Sequence, residues 1–222
     1  MITVEQSAPG RVPGIGSKTL IALAALVAVV FIVVAALPYR AMLGPQDAAQ
    51  QALEGFQFRY WPRRGWLLTH ITCGVIALLT GPVQLWLGLH NVKMEVHRRL
   101  GIVYLAAVAV GSVAAFGLAL KTDGGAVFGS GLFFLGVAWM TTTGLAYVAI
   151  RKYLIDQHRE WMIRSYVVTF AFVTFRAGQL ALVGRGVDLA TAIGIMAWAC
   201  WAIPLLLTEL ILQARKIVAV RA

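Results

Sequence analysis

Residues 161–183 read WMIRSYVVTFAFVTFRAGQLALV, an apolar run whose only charged side chains are Arg164 and Arg176. A helix rises about 1.5 Å per residue, so this run is long enough to cross a hydrocarbon core about 30 Å thick. Its polar residues are not scattered. His158, Met162, Ser165, Thr169, Phe172, Arg176 and Gln179 follow one another at spacings of 4, 3, 4, 3, 4 and 3, which puts them on one stripe of a helix. Val167, Val168, Ala171 and Val173 fall on the opposite face and suit lipid. Lipid cannot hydrogen-bond the stripe, so the stripe predicts neighbouring helices that enclose it.

Five further runs have membrane-spanning length: residues 19–37, 66–89, 100–120, 127–150 and 191–212. The chain is 60% hydrophobic and 13% charged, with mean hydropathy +0.80. That is more apolar surface than a soluble core of 222 residues can hide. The expected fold is therefore an all-α polytopic membrane bundle of six transmembrane helices over residues 19–213. An outer loop occupies 38–65, and tails occupy 1–18 and 214–222. Most linkers are short, which favours antiparallel neighbours. In the outer loop, residues 45–56 predict a short surface helix behind a proline, and Tyr60, Trp61 and Trp66 predict an interfacial aromatic belt.

Charge sets the expected orientation. With the N-terminus inside, the inner segments hold Arg11, Lys18, Lys93, Arg98, Arg99, Arg151, Lys152, Arg159, Arg164, Arg215, Lys216 and Arg221. The outer segments hold Arg40, Arg59, Arg63, Arg64, Lys121 and Arg185. This excess of inner cations obeys the positive-inside rule and predicts both termini in the cytoplasm, as in a bacterial inner membrane. The first run is longer than a signal-peptide core, and Pro38-Tyr39-Arg40 is a poor cleavage site, so it is read as a retained span. The net charge of +10 is spread between the apolar runs, a pattern that does not suit nucleic acid. Cys73 and Cys200 lie singly in apolar runs and read as small buried hydrophobes.

Arg176 is the sharpest functional signal. It lies roughly 18 Å above Arg164 by helical rise, deep in the hydrocarbon. An arginine there costs at least about 2.5 kcal/mol on insertion scales, and Glu209 is too far along its span to compensate. The second span echoes the stripe with His70, Gly74, Ala77, Gly81 and Gln84, and the third with His97, Gly101, Tyr104 and Gly111. Three such faces suggest one shared interior, whose small residues either pack helices closely or leave room for a flat cofactor. His70, Arg176, Gln179, Gln84 and Tyr104 are thus candidates to line a cavity for a small anionic or quinone-like ligand. At the inner face, His97-Arg98-Arg99 and His158-Arg159-Glu160-Trp161 resemble each other. They read either as positive-inside charge with interfacial histidines, or as a b-type haem site. In the second case His97 and His158 are axial ligands, and Arg98, Arg159 and Arg164 meet the cofactor's carboxylates. No metal beyond a haem iron is expected, because HExxH is absent and the spans hold few carboxylates.

Three segments carry a family resemblance. They are His70-Ile71-Thr72-Cys73-Gly74 with Gly81-Pro82-Val83-Gln84; His97-Arg98-Arg99-Leu100-Gly101-Ile102-Val103-Tyr104; and His158-Arg159-Glu160-Trp161-Met162-Ile163-Arg164-Ser165-Tyr166, followed by Thr169-Phe170 and Arg176. Together they resemble the bacterial membrane family catalogued as domain of unknown function 2306, over about residues 66–183. The resemblance implies the multi-span topology and draws attention to His70, His97, His158, Arg164 and Arg176. It implies no reaction.

Three functions stay open on the residues. A haem protein has the right ligand types, but an arrangement with two haems needs paired histidines at each face, and the outer face has only His70. A transporter or small-ligand-binding protein accounts for Arg176, although no inverted repeat is visible. An accessory subunit would use the polar stripes as interhelical hydrogen bonds. GxSxG, P-loop and dinucleotide motifs are absent.

Overall fold

The computed structural model describes residues 14–53 and 59–219. Regular structure among them is entirely helical: α1 (Gly14–Phe31), α2 (Gln46–Ala52), α3 (Arg64–His90), α4 (Met94–Ala119), α5 (Gly125–Arg151), α6 (Ile155–Thr169), α7 (Ala171–Val183) and α8 (Leu189–Ala219). Six stretches are long and apolar enough to span a membrane: Ala22–Leu43, Trp61–His90, Met94–Ala119, Gly125–Arg151, Ile155–Val183 and Leu189–Val218. α6 and α7 together make the fifth. The protein is an all-α, multi-pass membrane bundle. Arg11 and Arg221, and positions 54–56 of the expected surface helix, lie outside the described residues; that helix occupies Gln46–Ala52.

The helices run past the apolar stretches. α4 starts at Met94 and α6 at Ile155, so His97 and His158 sit inside the first turns rather than in linkers. The connectors are tight because single residues reverse the chain in the left-handed region: Asn91 (φ 53), Lys93 (φ 46) and Tyr153 (φ 61). The Val92 amide then donates to the Leu87 carbonyl, and the Leu154 amide to that of Ala149, closing the preceding helices. At the opposite end of the bundle, Asp188 Oδ1 accepts the Thr191 amide at 2.9 Å and starts α8. The Thr191 hydroxyl and then its amide, both donating to the carboxylate, hold the Asp188 carboxyl below the usual carboxylate range.

α3 packs beside α4 and α6, and α5 also packs beside α4 and α6. These four helices form a ring in which α4 and α6 face each other across the axis. α8 lies outside α5, α6 and α7, and α1 leans chiefly on α3. One end of the ring, the loop end, carries residues 38–53 and 59–63. The other carries His97 and His158 and is called the histidine end.

Two prolines decide how the fifth span is held. Pro82 in α3 has no amide proton, which frees the carbonyl of Leu78, four residues earlier. The Tyr166 hydroxyl donates to that carbonyl at 3.3 Å. Pro204 in α8 likewise frees the carbonyl of Cys200, and Thr174 Oγ1 donates to it at 2.7 Å. In hydrocarbon an unmet carbonyl has no water to turn to, so these bonds fix α6–α7 against both neighbours. Gly81 makes the first bond accessible, because a Cβ there would occupy the Tyr166 ring.

The inward stripe is as the spacing predicts: Ser165 and Thr169 are buried, and Met162 and Phe172 pack on the core. The expected lipid face needs correction, since Val168 and Ala171 are also buried. α6–α7 touches α3, α5 and α8, so neighbours cover it on more than one side. The regular spacing is also interrupted at Phe170, between the two helices. Thr169 Oγ1 donates back to the Ser165 carbonyl at 2.9 Å, a bond that favours such a bend. Cys73 and Cys200 are free and buried, as expected.

Replacing Tyr166 with Phe should destabilise the detergent-solubilised protein by about 1 kcal/mol. In a Pro82→Ala background, the restored amide meets Leu78 and the same replacement should cost little. A double-mutant cycle by denaturant unfolding measures the difference.

Candidate functional site

The path of α1 breaks where it nears the loop end. Residues Ile32–Ala36 form a π turn and Leu37–Leu43 a 3₁₀ helix carrying Pro38 in its first turn. This distortion swings Tyr39 inward, where it is 7% exposed; α2 packs on the same segment, and Leu53 just beyond it joins the buried cluster of Tyr39. Beneath lies a cavity of about 170 Å³, lined by α1 and its π turn, α3, α4, α5 and α6–α7.

Its wall is largely apolar, with Ile71, Leu78, Leu132, Leu135, Phe172 and Phe175 prominent, and Tyr39, Tyr60, His70, Thr169 and Arg176 bring polar groups to it. Arg176 donates to Gln179 Oε1 at 3.2 Å and to the Tyr39 hydroxyl at 3.4 Å. Guanidinium only donates, so Tyr39 keeps its own proton to offer elsewhere. His70 Nδ1 lies 3.0 Å from the Gly111 carbonyl. A carbonyl only accepts, so Nδ1 carries the proton and Nε2 of the neutral ring is an acceptor. The imidazole sits against Phe172 and Trp139, with ring centroids 5.3 and 6.3 Å away. By helical rise His70 and Arg176 are each roughly 10 Å from the loop-end termini of their helices, so the two meet at one depth.

A buried hydroxyl network lies between the cavity and the histidine end. Tyr104, 0% exposed, is 2.7 Å from both Ser165 Oγ and Thr169 Oγ1. Trp139 Nε1 donates to Thr169 Oγ1 at 2.8 Å, and Thr143 Oγ1 is 2.7 Å from Ser165 Oγ. Each hydroxyl has one proton, and that fixes the order. Thr169 spends its proton on the Ser165 carbonyl, so Tyr104 donates to Thr169, Ser165 to Tyr104 and Thr143 to Ser165. The network pins α4, α5 and α6 together, and its last member, Thr169, lines the cavity.

The candidate residues therefore separate. His70 and Arg176 line one cavity, with Gln179 behind Arg176 and Tyr104 beneath it through Thr169. Gln84 lies elsewhere: its side-chain amide donates to the His97 carbonyl at 2.7 Å, at the histidine end. There the His97 and His158 rings lie 6.5 Å apart between centroids, with planes at 89°. His158 Nδ1 donates to the Ala146 carbonyl at 2.9 Å. Arg98 is exposed, and Arg159 reaches Asn91 Oδ1 at 3.2 Å. Arg164 is committed to carboxylates: its guanidinium meets Glu209 at 2.6 Å and Glu160 at 3.5 Å, and it stacks over Trp161. His90 bonds only to its own helix, at the Trp86 carbonyl. Among the described residues, no three His, Cys, Asp or Glu side chains cluster as metal ligands.

Tyr39 and Trp139 escaped the reading of the sequence. Tyr39 follows the proline that distorts α1, and Trp139 precedes the run Thr141-Thr142-Thr143 within an apolar span. Both signals were local breaks in apolar character.

Residues 67–212 match the family described as predicted membrane protein, domain of unknown function 2306, and the chain belongs to that family. No curated protein and no solved structure matches it.

Two glycines should respond in opposite ways. Gly74 has nothing within 4 Å of a built Cβ, so Gly74→Ala should leave thermal stability in detergent unchanged. Gly81→Ala should lower it clearly, because the Tyr166 ring must move and its bond to Leu78 is lost.

Proposed function

We propose that this protein binds a lipid-soluble, quinone-like small molecule, with its ring in the cavity beneath Tyr39. The observation that carries the reading is a benzene-scale, largely apolar cavity whose polar lining includes Arg176, Tyr39 and His70. An apolar cavity of about 150 Å³ accepts a single aromatic ring. Arg176 and Tyr39 supply donors for a carbonyl oxygen, and His70 Nε2 supplies an acceptor for a hydroxyl. A quinone–quinol head presents both groups. A carboxylate head would suit Arg176 but would meet the His70 lone pair. Phe172 and Trp139 offer flat surfaces to a ring. α1 leans chiefly on α3, which favours passage of an apolar tail between α1 and the rest of the bundle into lipid. With both termini in the cytoplasm of a bacterial inner membrane, the cavity lies in the outer half of the bilayer.

Titrating purified wild-type protein with a short-chain benzoquinone, by calorimetry, should give saturable binding. Arg176→Gln should weaken it at least about tenfold, equivalent to about 1.4 kcal/mol, while far-UV circular dichroism stays unchanged. Leu206→Ala, on the exposed face of α8, should bind like wild type. Equal affinity in wild type and Arg176→Gln would overturn the reading.

A further inference from the structure

We infer that an outward-facing groove between α3 and α4 at the loop end holds an anionic phospholipid, with one acyl chain in the groove and its phosphate against Arg63 and Arg64. The groove has a volume of about 540 Å³ and opens on the outside of the bundle. Gly65, Trp66 and Thr69 of α3 and Ala109, Val110 and Val113 of α4 form its walls, and all six are exposed. None of them lines the cavity beneath Tyr39, to which α3 contributes Leu67, His70, Ile71 and Gly74 from another face. The two sites are therefore independent.

The groove has the length of one leaflet. It starts at Gly65, the second residue of α3, and reaches Ala109, ten residues before the end of α4 at Ala119. At about 1.5 Å per residue that descent is about 15 Å, half of a hydrocarbon core about 30 Å thick. A spanning helix of another protein would need a contact face through both leaflets, whereas an acyl chain hanging from the interface needs only this depth. Near the top, the Trp66 ring lies on Gly117, where a Cβ would come within 3.1 Å of it. The indole is thus laid against α4 and walls the groove at the level where tryptophan prefers to sit.

Charge selects the headgroup. The Arg64 guanidinium is stacked 4.5 Å over the Trp61 ring and has no hydrogen-bond or ion-pair partner among the described residues. Stacking occupies its face and leaves the in-plane N–H donors for a phosphate, which a guanidinium fork matches. Arg63 meets Asp123 at 3.3 Å, a bond that joins the start of α3 to the linker after α4 across the top of the groove. The Asp123 side chain is 55% exposed, so this is a surface pair that can exchange. Lys121, exposed two residues earlier, adds a third cation against that one aspartate. Such clusters at a membrane surface attract anionic lipids. A second copy packed through the same face would instead bring these cations against one another.

The test is native mass spectrometry of the full chain, released from micelles that contain phosphatidylglycerol and phosphatidylcholine in equal amounts and with identical chains. Wild type should retain phosphatidylglycerol in preference to phosphatidylcholine. Arg64→Gln should lower that preference about fivefold, and Arg64→Lys, which keeps the charge, should retain most of it. Ala109→Phe, which fills the lower groove, should reduce retention of both lipids. Arg185→Gln removes a loop-end cation from the linker between α7 and α8 and should match wild type. Thermal melting in detergent checks that each variant is folded. Equal retention of the two lipids by wild type, an unchanged preference in Arg64→Gln, or equal losses in Arg64→Gln and Arg185→Gln would overturn the assignment. So would a dimer abolished by Ala109→Phe with lipid retention unchanged, which would give the groove to a second copy. The benzoquinone titration reads the other site, so either result leaves the cavity to be judged separately.

Discussion

In hydrocarbon a freed backbone carbonyl must be met by protein, and the whole bundle is organised around the helix that meets two of them. Pro82 and Pro204 break the ladders of α3 and α8 in the middle of the bundle, and Tyr166 and Thr174 on α6–α7 fill both gaps. The fifth span is thereby fixed in rotation. Ser165 and Thr169 must then face α4 and α5, where Tyr104, Trp139 and Thr143 complete their hydrogen bonds. Arg176, two turns beyond Thr169, is carried into the cavity by the same rotation.

The two ends of the ring differ in chemistry for a physical reason. At the loop end, residues 38–53 and 59–63 pack on the helices, and glycines such as Gly74 leave space that no side chain fills. Inside the cavity Arg176 is met by a phenol and an amide rather than a carboxylate. At the histidine end the helices extend into the interface. Arg164, Glu209, Glu160 and Lys216 form a linked ion-pair network between α6 and α8, with Arg164 only 7% exposed. That network holds the peripheral α8 to the ring. Between the ends lies the buried Tyr104 network.

Much of this was legible in the sequence. The 4-3 spacing of residues 158–179 identified the inward stripe, and helical rise alone placed Arg176 deep in the fifth span. The family resemblance rested on segments from the second, third and fifth spans, and the family match extends it into the sixth. Periodicity failed at Val168 and Ala171, because it assumes an unbroken helix with one covered side. Tyr39 was hidden because its position depends on a π turn and a 3₁₀ segment, which residue spacing does not encode. Gln84 was grouped with the cavity because it shares a face with His70. That face runs the length of α3, and its far end belongs to His97.

The occupant of the cavity is what decides the function of this protein. A photoactivatable azido-benzoquinone, cross-linked to the protein in nanodiscs and mapped by peptide mass spectrometry, reads this without relying on a variant. The account predicts adducts within residues 67–78 and 168–176, suppressed by excess unlabelled benzoquinone. Adducts confined to the exposed face of α8, around Leu206 and Leu210, and unaffected by competitor would contradict it.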